Sequence, residues 1–275
     1  MLNWESIVQN YIIKYSNKIQ KTTQPLREHY GIGYFTYHRI DYGGKYTVLV
    51  DRPDWSEHYV SEKIFSDDPY LRHPSVYQSG ISLIENHGSD EYKELILNEG
   101  KKVLKMDLGA ILIKKNEGGV EFFGFCGDSQ TSSLQSLYLN HPQLLTSFAD
   151  HFKKELGLIL TKMEEEAGFL IDLKGNDFLC KQPICPDISS AKLLSYYRDL
   201  GLNGEVEKAE KLSFREKQCL KLLIQNKSAK ETAVVLGLSR RTVEYYFENI
   251  KNKLACWTKQ EVLQVAKTLK EMGLL

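Results

Sequence analysis

Leu212-Ser-Phe-Arg-Glu-Lys-Gln-Cys-Leu-Lys-Leu-Leu223 and, four residues later, Ser228-Ala-Lys-Glu-Thr-Ala-Val-Val-Leu-Gly-Leu-Ser-Arg-Arg-Thr-Val-Glu-Tyr-Tyr-Phe-Glu-Asn-Ile-Lys-Asn-Lys-Leu254 decide the reading of this 275-residue chain. Two helix starts in it carry one signature. Ser213 is followed three residues on by Glu216, and Ser228 by Glu231. A Ser hydroxyl there accepts the N–H of the third helical residue while the Glu reaches back to the Ser N–H, the reciprocal pair of a capping box. Gly237 tolerates the positive φ that ends a helix. Ser239 then opens another. Helix, short glycine turn, helix is the helix-turn-helix unit, whose second member fits a DNA major groove.

Apolar spacing supports packed helices. Ala233, Leu236 and Leu238 flank the turn, and Val243, Phe247, Ile250 and Leu254 recur at three and four residues. One face is therefore core. The other carries Arg240, Arg241, Glu244, Tyr245, Glu248, Asn249 and Lys251. A fourth helix over Lys259 to Met272 repeats the pattern with Val262, Leu263, Ala266 and Leu269.

This segment resembles the LuxR-type (GerE-like) DNA-binding domain. The residues that carry the resemblance are Leu212, Ser213, Arg215, Glu216, then Ser228, Lys230, Glu231, Ala233, then Leu236, Leu238, Ser239, Thr242, Val243, Glu244, and finally Ile250, Lys253, Leu254. Thr232 stands where that family usually has Ile, and Tyr246 where it usually has His. The resemblance implies that Glu244, Tyr245 and Glu248 meet base edges. Ser228, Lys230, Arg241, Thr242, Tyr246, Lys251 and Lys253 are the expected phosphate contacts. Carboxylates accept from cytosine N4 and so discriminate sequence; the cations supply salt-sensitive affinity.

The overall charge, 36 Lys and Arg against 36 Asp and Glu, conceals an asymmetry. From Glu207 onward there are 14 basic and 8 acidic residues, a net of +6, against −6 for the remainder. A basic tail on an acidic body suits DNA binding at one end. No run of eighteen apolar residues predicts a membrane span, and Met1-Leu-Asn-Trp-Glu5 lacks a signal peptide's basic and apolar regions. A cytoplasmic protein is expected. The five Cys are scattered, with only Cys180 and Cys185 close, and reduced thiols are the preferred reading.

The first 167 residues alternate hairpins with helices. A helix is expected over Trp4 to Gln20. Gly31 to Ile40 reads as a strand, turning at Gly43-Gly44 into Lys45 to Val50. Helical stretches follow over Trp55–Ile64 and Pro69–Gln78, and a longer one from Ser89 to Lys105. Leu108–Lys114 and Val120–Cys126 form a second hairpin. A long helix over Leu134–Glu166 is interrupted at His141-Pro142. The fold class is therefore α+β: an amino-terminal α/β/α sandwich with an antiparallel sheet, then an all-α, four-helix helix-turn-helix domain. The expected domains are 1–167, a linker over 168–206 ordered in part as a short hairpin and a helix, and 207–275.

Trp55 and Tyr59 share a helix face, and Asp68 precedes Pro69, which drives it out of helical geometry. From the residues alone the preferred reading is a core aromatic pair for Trp55 and Tyr59 and a helix cap for Asp68. Their spacing resembles the autoinducer-binding domain of quorum-sensing LuxR-type regulators. That resemblance implies an acyl-homoserine lactone or another small amphipathic signal. Trp55 N–H would donate to the ring carbonyl, Tyr59 to the acyl carbonyl, and Asp68 would accept the amide N–H. Gly109 matches a glycine on a central strand, and Tyr46 or Tyr34 would line the acyl channel. A second Trp of the family is missing; Leu83 (or Ile81) takes its place, which reshapes the head-group end.

No metal spacing, phosphate loop or nucleophilic triad stands out, so neither an enzyme nor a cofactor is expected. The expected partners are an inverted-repeat duplex operator, a small signal and a second copy of the chain. The rival reading is a ligand-independent regulator whose first domain is a dimerisation or protein-interaction module.

Overall fold

The computed structural model describes residues 4–84, 88–131, 133–179 and 190–275. Cys180 and Cys185 lie outside the described residues. The chain forms two compact units, Met1–Pro186 and Asp187–Leu275.

The first unit is built on a five-stranded antiparallel sheet in the order β2-β1-β5-β4-β3. The strands are β1 (Ile32–Ile40), β2 (Tyr46–Val50), β3 (Gly80–Leu83), β4 (Leu108–Asn116) and β5 (Gly119–Gly127). Period-two alternation sends Phe35, Tyr37, Leu49, Ala110, Leu112, Phe123 and Phe125 to one face. There they pack on α1 (Ser16–Tyr30), α4 (Ser133–Asn140) and α5 (Pro142–Glu165), with Phe35 4.8 Å from Phe152 and 5.1 Å from Phe148 between ring centroids. Tyr34, Ile40, Tyr46, Val48, Val50, Ile111, Val120 and Phe122 take the opposite face. That face is covered by α2 (Pro53–Ser61), by α3 (Asp90–Glu99) and by the intervening turns. The sandwich is as expected, and so is the break between α4 and α5 at Pro142.

Three details differ from expectation. The amino-terminal helix passes through a wider π-type turn over Val8–Ile13, and α1 runs ten residues beyond Gln20. The expected helix over Pro69–Gln78 is only a 3-10 turn at Pro74–Val76. Two prolines explain this, because each lacks an N–H and biases its preceding residue toward extended backbone; His73 has φ −59° and ψ 137°. Strand β3 is additional; it pairs with β4 through Ile81↔Leu112 and Leu83↔Ala110.

The stretch 168–206 divides between the units. No hairpin forms there among the described residues. Instead Phe169 bridges Lys45, Leu170 N–H donates to the Gly44 carbonyl, and Leu170 and Phe178 are buried in the first unit. On the other side, α6 (Ser190–Asp199) and α7 (Asn203–Lys211) belong to the second unit. The Tyr197 hydroxyl donates to the Met272 carbonyl at 3.0 Å, and Val206 and Ala209 are buried.

The second unit adds α8 (Phe214–Ile224), α9 (Ala229–Leu236), α10 (Arg240–Leu254) and α11 (Lys259–Glu271) to these two helices. Cys219, Leu220, Val243, Ile250, Leu254, Val262, Ala266 and Leu269 form its core. Both expected capping boxes are present, Ser213 with Glu216 and Ser228 with Glu231. A third joins Thr258 to Glu261. Gly237 ends α9 at φ +63°, a left-handed conformation in which a Cβ would be strained. Among the described residues no helix is long and apolar enough to cross a membrane.

Candidate ligand cavity and nucleic-acid interface

Between the second face of the sheet and its covering helices lies a cavity of about 150 Å³. That is roughly ten times the room one water needs. The strands supply its floor: Tyr34, Thr36 and His38 from β1, Tyr46, Val48 and Val50 from β2, Gly109 and Ile111 from β4. Helix α2 supplies Trp55, Ser56 and Tyr59, and α3 supplies Tyr92 and Ile96.

Asp68 is the buried polar centre. Its Oδ2 accepts from the Tyr59 hydroxyl at 2.5 Å, its Oδ1 from the Tyr70 backbone N–H at 2.7 Å, and the Tyr92 hydroxyl also bonds it. The bond to a backbone two residues on is an Asx turn, and no helix follows, so Asp68 is not the helix cap that its position suggested. Burial raises the Asp68 carboxyl above the usual range, against the lowering effect of Tyr59 and the Tyr70 N–H. A fully charged carboxylate still has a lone pair to offer after three donors.

Trp55, Tyr59, Asp68, Tyr46, Tyr34 and Gly109 all line this one cavity. The Trp55 indole N–H donates to none of the described residues. Tyr59 donates to Asp68, so its hydroxyl must turn before it can serve an acyl carbonyl. Gly109 is a packing requirement as much as a wall: a Cβ there would lie 2.3 Å from Ile84 Cδ1 and 2.9 Å from Cys126 Sγ. Leu83 is the correction. It and Ile81 pack against the other face of the sheet with the α4 and α5 core. Alternation places Ile84, the next residue, at the cavity instead.

Three residues escaped the sequence reading. His38, Tyr92 and Lys174 are far apart in the chain and belong to no spacing motif. Lys174 donates to the carbonyls of Phe65 and Ser66, and its charge lies near Asp68 and Asp67. Burial lowers its ammonium from the usual Lys range.

In the second unit, the polar face of α10 is turned outward. Arg240, Arg241, Glu244, Tyr245 and Glu248 are exposed, Tyr245 at 65%. Lys230 is exposed at the start of α9. Glu244 is held by Arg240 at 2.7 Å and Glu248 by Lys251 at 2.8 Å. The Ser228 hydroxyl is committed to its cap, and the Thr242 hydroxyl meets that of Ser239 at 2.7 Å. Tyr246 is half-buried against the helical core. Lys253 behaves unlike a simple surface cation: its Nζ lies 2.7 Å from the carboxylate of Glu216, whose side chain is 3% exposed. Burial works to raise the Glu216 carboxyl, but Lys253 and the Ser213 N–H outweigh it and hold the group below the usual range.

Residues 210–266 match the family of bacterial regulatory proteins described as GerE, luxR family. The chain therefore carries a LuxR-family helix-turn-helix domain. Among solved structures it is similar to Escherichia coli SdiA, at 16% identity over 100% of this chain and 92% of that one, with a TM-score of 0.35. It is also similar to SdiA in complex with octanoyl-rac-glycerol, at 15% identity over 97% and 88%, with a TM-score of 0.38. The curated proteins contain no match.

Proposed function

We propose that this chain, a LuxR-family DNA-binding regulator through its second unit, is controlled by a small amphipathic signal held in the first. The observation that carries the reading is one cavity that collects Trp55, Tyr59 and Asp68 in the same chain as that DNA-binding domain. Their chemistry suits a compact ligand with two carbonyls and one amide, such as a short acyl-homoserine lactone. Trp55 offers a donor and Asp68 a remaining acceptor site, while Tyr34 and Tyr46 enclose the chain. Ile84, smaller than a Trp, leaves the head-group end roomier.

Two copies acting together would set paired α10 helices into successive major grooves of an inverted repeat, half-sites about one helical turn apart. Exposed Leu139 and Leu158, 72% and 89% accessible, supply apolar surface for a second copy on α4 and α5. Glu244, Tyr245 and Glu248 would meet bases. Lys230, Arg241, Lys251 and the flanking Ser228, Thr242 and Tyr246 would meet phosphates, with Lys253 contributing donors left over from Glu216.

The rival reading, a ligand-independent interaction module, has one observation in its favour: three donors already satisfy Asp68. Thermal-shift measurements on the full chain with N-acyl-homoserine lactones of increasing length separate the two. A rise in melting temperature that peaks at short chains supports ligand control. Unchanged melting with every lactone, and no small molecule in organic extracts of the purified protein, supports the module.

A further inference from the structure

The turn that carries Asp68 forms neither helix nor strand. It leaves the 3-10 turn Ile64–Ser66 and ends at His73, where the next 3-10 turn begins. Pro69 and Pro74 keep it out of regular structure. A segment from far along the chain holds it at both ends. Before Asp68, the Lys174 Nζ donates to the Phe65 carbonyl at 3.0 Å and to that of Ser66. After it, the His73 N–H donates to the Phe178 carbonyl at 2.9 Å, and the two rings meet edge to face with centroids 5.7 Å apart. Asp68 lies between the two clamps.

The same segment has an anchor of its own. The Gly168 carbonyl accepts from the Tyr46 N–H at 3.0 Å, and the Leu170 N–H donates to the Gly44 carbonyl at 2.8 Å. Leu170 and Phe178 are buried in the apolar cluster on the cavity side of the sheet. Phe178 sits so near Gly44 that a Cβ there would lie 3.1 Å from its ring. Residues 168–179 thus form a strap laid over the β1–β2 turn and the Asp68 turn. Apolar groups alone would suffice to cover those turns. Lys174 instead gives up part of its water, at a cost that only the two carbonyls and the nearby charges of Asp68 and Asp67 offset. What it holds reaches the polar centre of the cavity: the Phe65 ring lies 6.5 Å from that of Tyr59, whose hydroxyl donates to Asp68.

We propose that Lys174 is a positioning residue of the ligand site and that docking of the strap 168–179 is coupled to occupation of the cavity. The proposal rests on the reading of the cavity as a signal site. The signal bonds Asp68; Lys174 acts through the turn. With both clamps closed, the carboxylate has one defined place. With the strap released, the turn is held at neither end. A ligand that needs a defined acceptor binds the docked form better, and by linkage it stabilises docking by the same factor. Release of the strap would also lengthen the connection to the second unit, which gives occupation of the cavity a way to act along the chain.

The test is hydrogen–deuterium exchange on the full chain, alone and with N-butanoyl-, N-hexanoyl- or N-octanoyl-homoserine lactone, with affinities from calorimetry. It is read at times before β5 exchanges, so that local opening alone is seen. The tightest-binding lactone should slow exchange several-fold across 168–179. Lys174→Met should weaken that lactone about tenfold and speed exchange of the strap in the unliganded chain. Lys174→Arg, which can still donate to two carbonyls, should restore most of both. Strap exchange that is the same with and without bound lactone overturns this inference alone, as does Lys174→Met binding as tightly as the wild type. Should Lys174→Met fail to fold, the wild-type exchange comparison decides. Failure of all three lactones to bind the wild type overturns the signal-site reading and this inference with it.

Discussion

The cavity of the first unit and the outer face of α10 use the same chemical groups under opposite conditions. Asp68 is a buried carboxylate fixed by Tyr59, Tyr92 and the Tyr70 N–H. Glu244 and Glu248 are exposed carboxylates, each with one cation beside it. In the cavity the partners are fixed by the packing around them, so removing one group leaves the rest without the acceptor they are built around. On α10 the lost partner is replaced by solvent, and the ion pairs are worth little to stability. The proposed signal site is therefore tied to the fold, whereas the proposed DNA-reading surface is free to change sequence preference.

The largest effect expected from this contrast is at Asp68. Asp68→Ala leaves two hydroxyls and one N–H without their acceptor and should cost about 3 kcal/mol in denaturant unfolding. Asp68→Asn, which keeps an acceptor oxygen and removes a buried charge, should lose much less stability and yet lose lactone binding. If Asp68→Ala is as stable as the wild type, the contrast fails.

His38 sharpens the comparison through pH. Its folded pKa of about 3 lies below the ordinary value of 6.5. The unfolded chain therefore binds a proton in that window while the folded one does not, and stability falls as pH drops from 6.5 toward 3. One proton's difference is worth roughly 1.4 kcal/mol per pH unit. Asp51 acts the other way: burial pushes its carboxyl to about 6, against the Phe35 N–H and Arg27, so its effect favours the folded state as pH falls from 6 to 3.8. Comparing wild type with His38→Leu at pH 7 and pH 5 isolates the histidine. The variant should gain relative stability at pH 5; a pH-independent difference would mean that the ring is not held neutral.

Lys253 marks the boundary between the two regimes. Lys253→Ala removes a cation from buried Glu216 and should cost about 1–2 kcal/mol of stability, discounted because the lysine is itself partly exposed. Lys230→Ala, at an exposed site with no such partner, should weaken DNA binding at all sequences and leave melting unchanged. Equal melting losses in both variants would remove the distinction. Glu244→Ala is likewise expected to change unfolding little, by no more than about 0.5 kcal/mol. Its effect should appear instead as relaxed preference at one operator position, by ~1–3 kcal/mol in competition binding.

Legibility in the sequence follows the range of the interactions involved. Capping boxes at Ser213 and Ser228, the left-handed Gly237 and the three-four spacing of Val243, Ile250 and Leu254 are local, and each was readable. So were β1, β2, β4 and β5, because alternation is local too, while the four-residue β3 was too short to show it. The short amphipathic spacing of Trp55 and Tyr59 was readable, but their shared cavity required a sheet to assemble. His38, Tyr92 and Lys174 reach Asp68 or the cavity only through tertiary packing, across gaps that no spacing rule spans. Leu83 failed for a sharper reason: shifting an alternating strand by one residue exchanges its two faces, and Ile84 proved to be the inward one. At Lys253, sequence position suggested a phosphate contact, and the buried partner Glu216 became visible only when α8 packed against α10.

The central claim is that α10 reads duplex DNA as one of a symmetric pair. Selection from a random duplex pool by the purified full chain, followed by sequencing, tests it most directly. The account predicts enrichment of an inverted repeat whose half-sites lie about one helical turn apart. A recovered pool indistinguishable from the input, even in dilute salt, would contradict it.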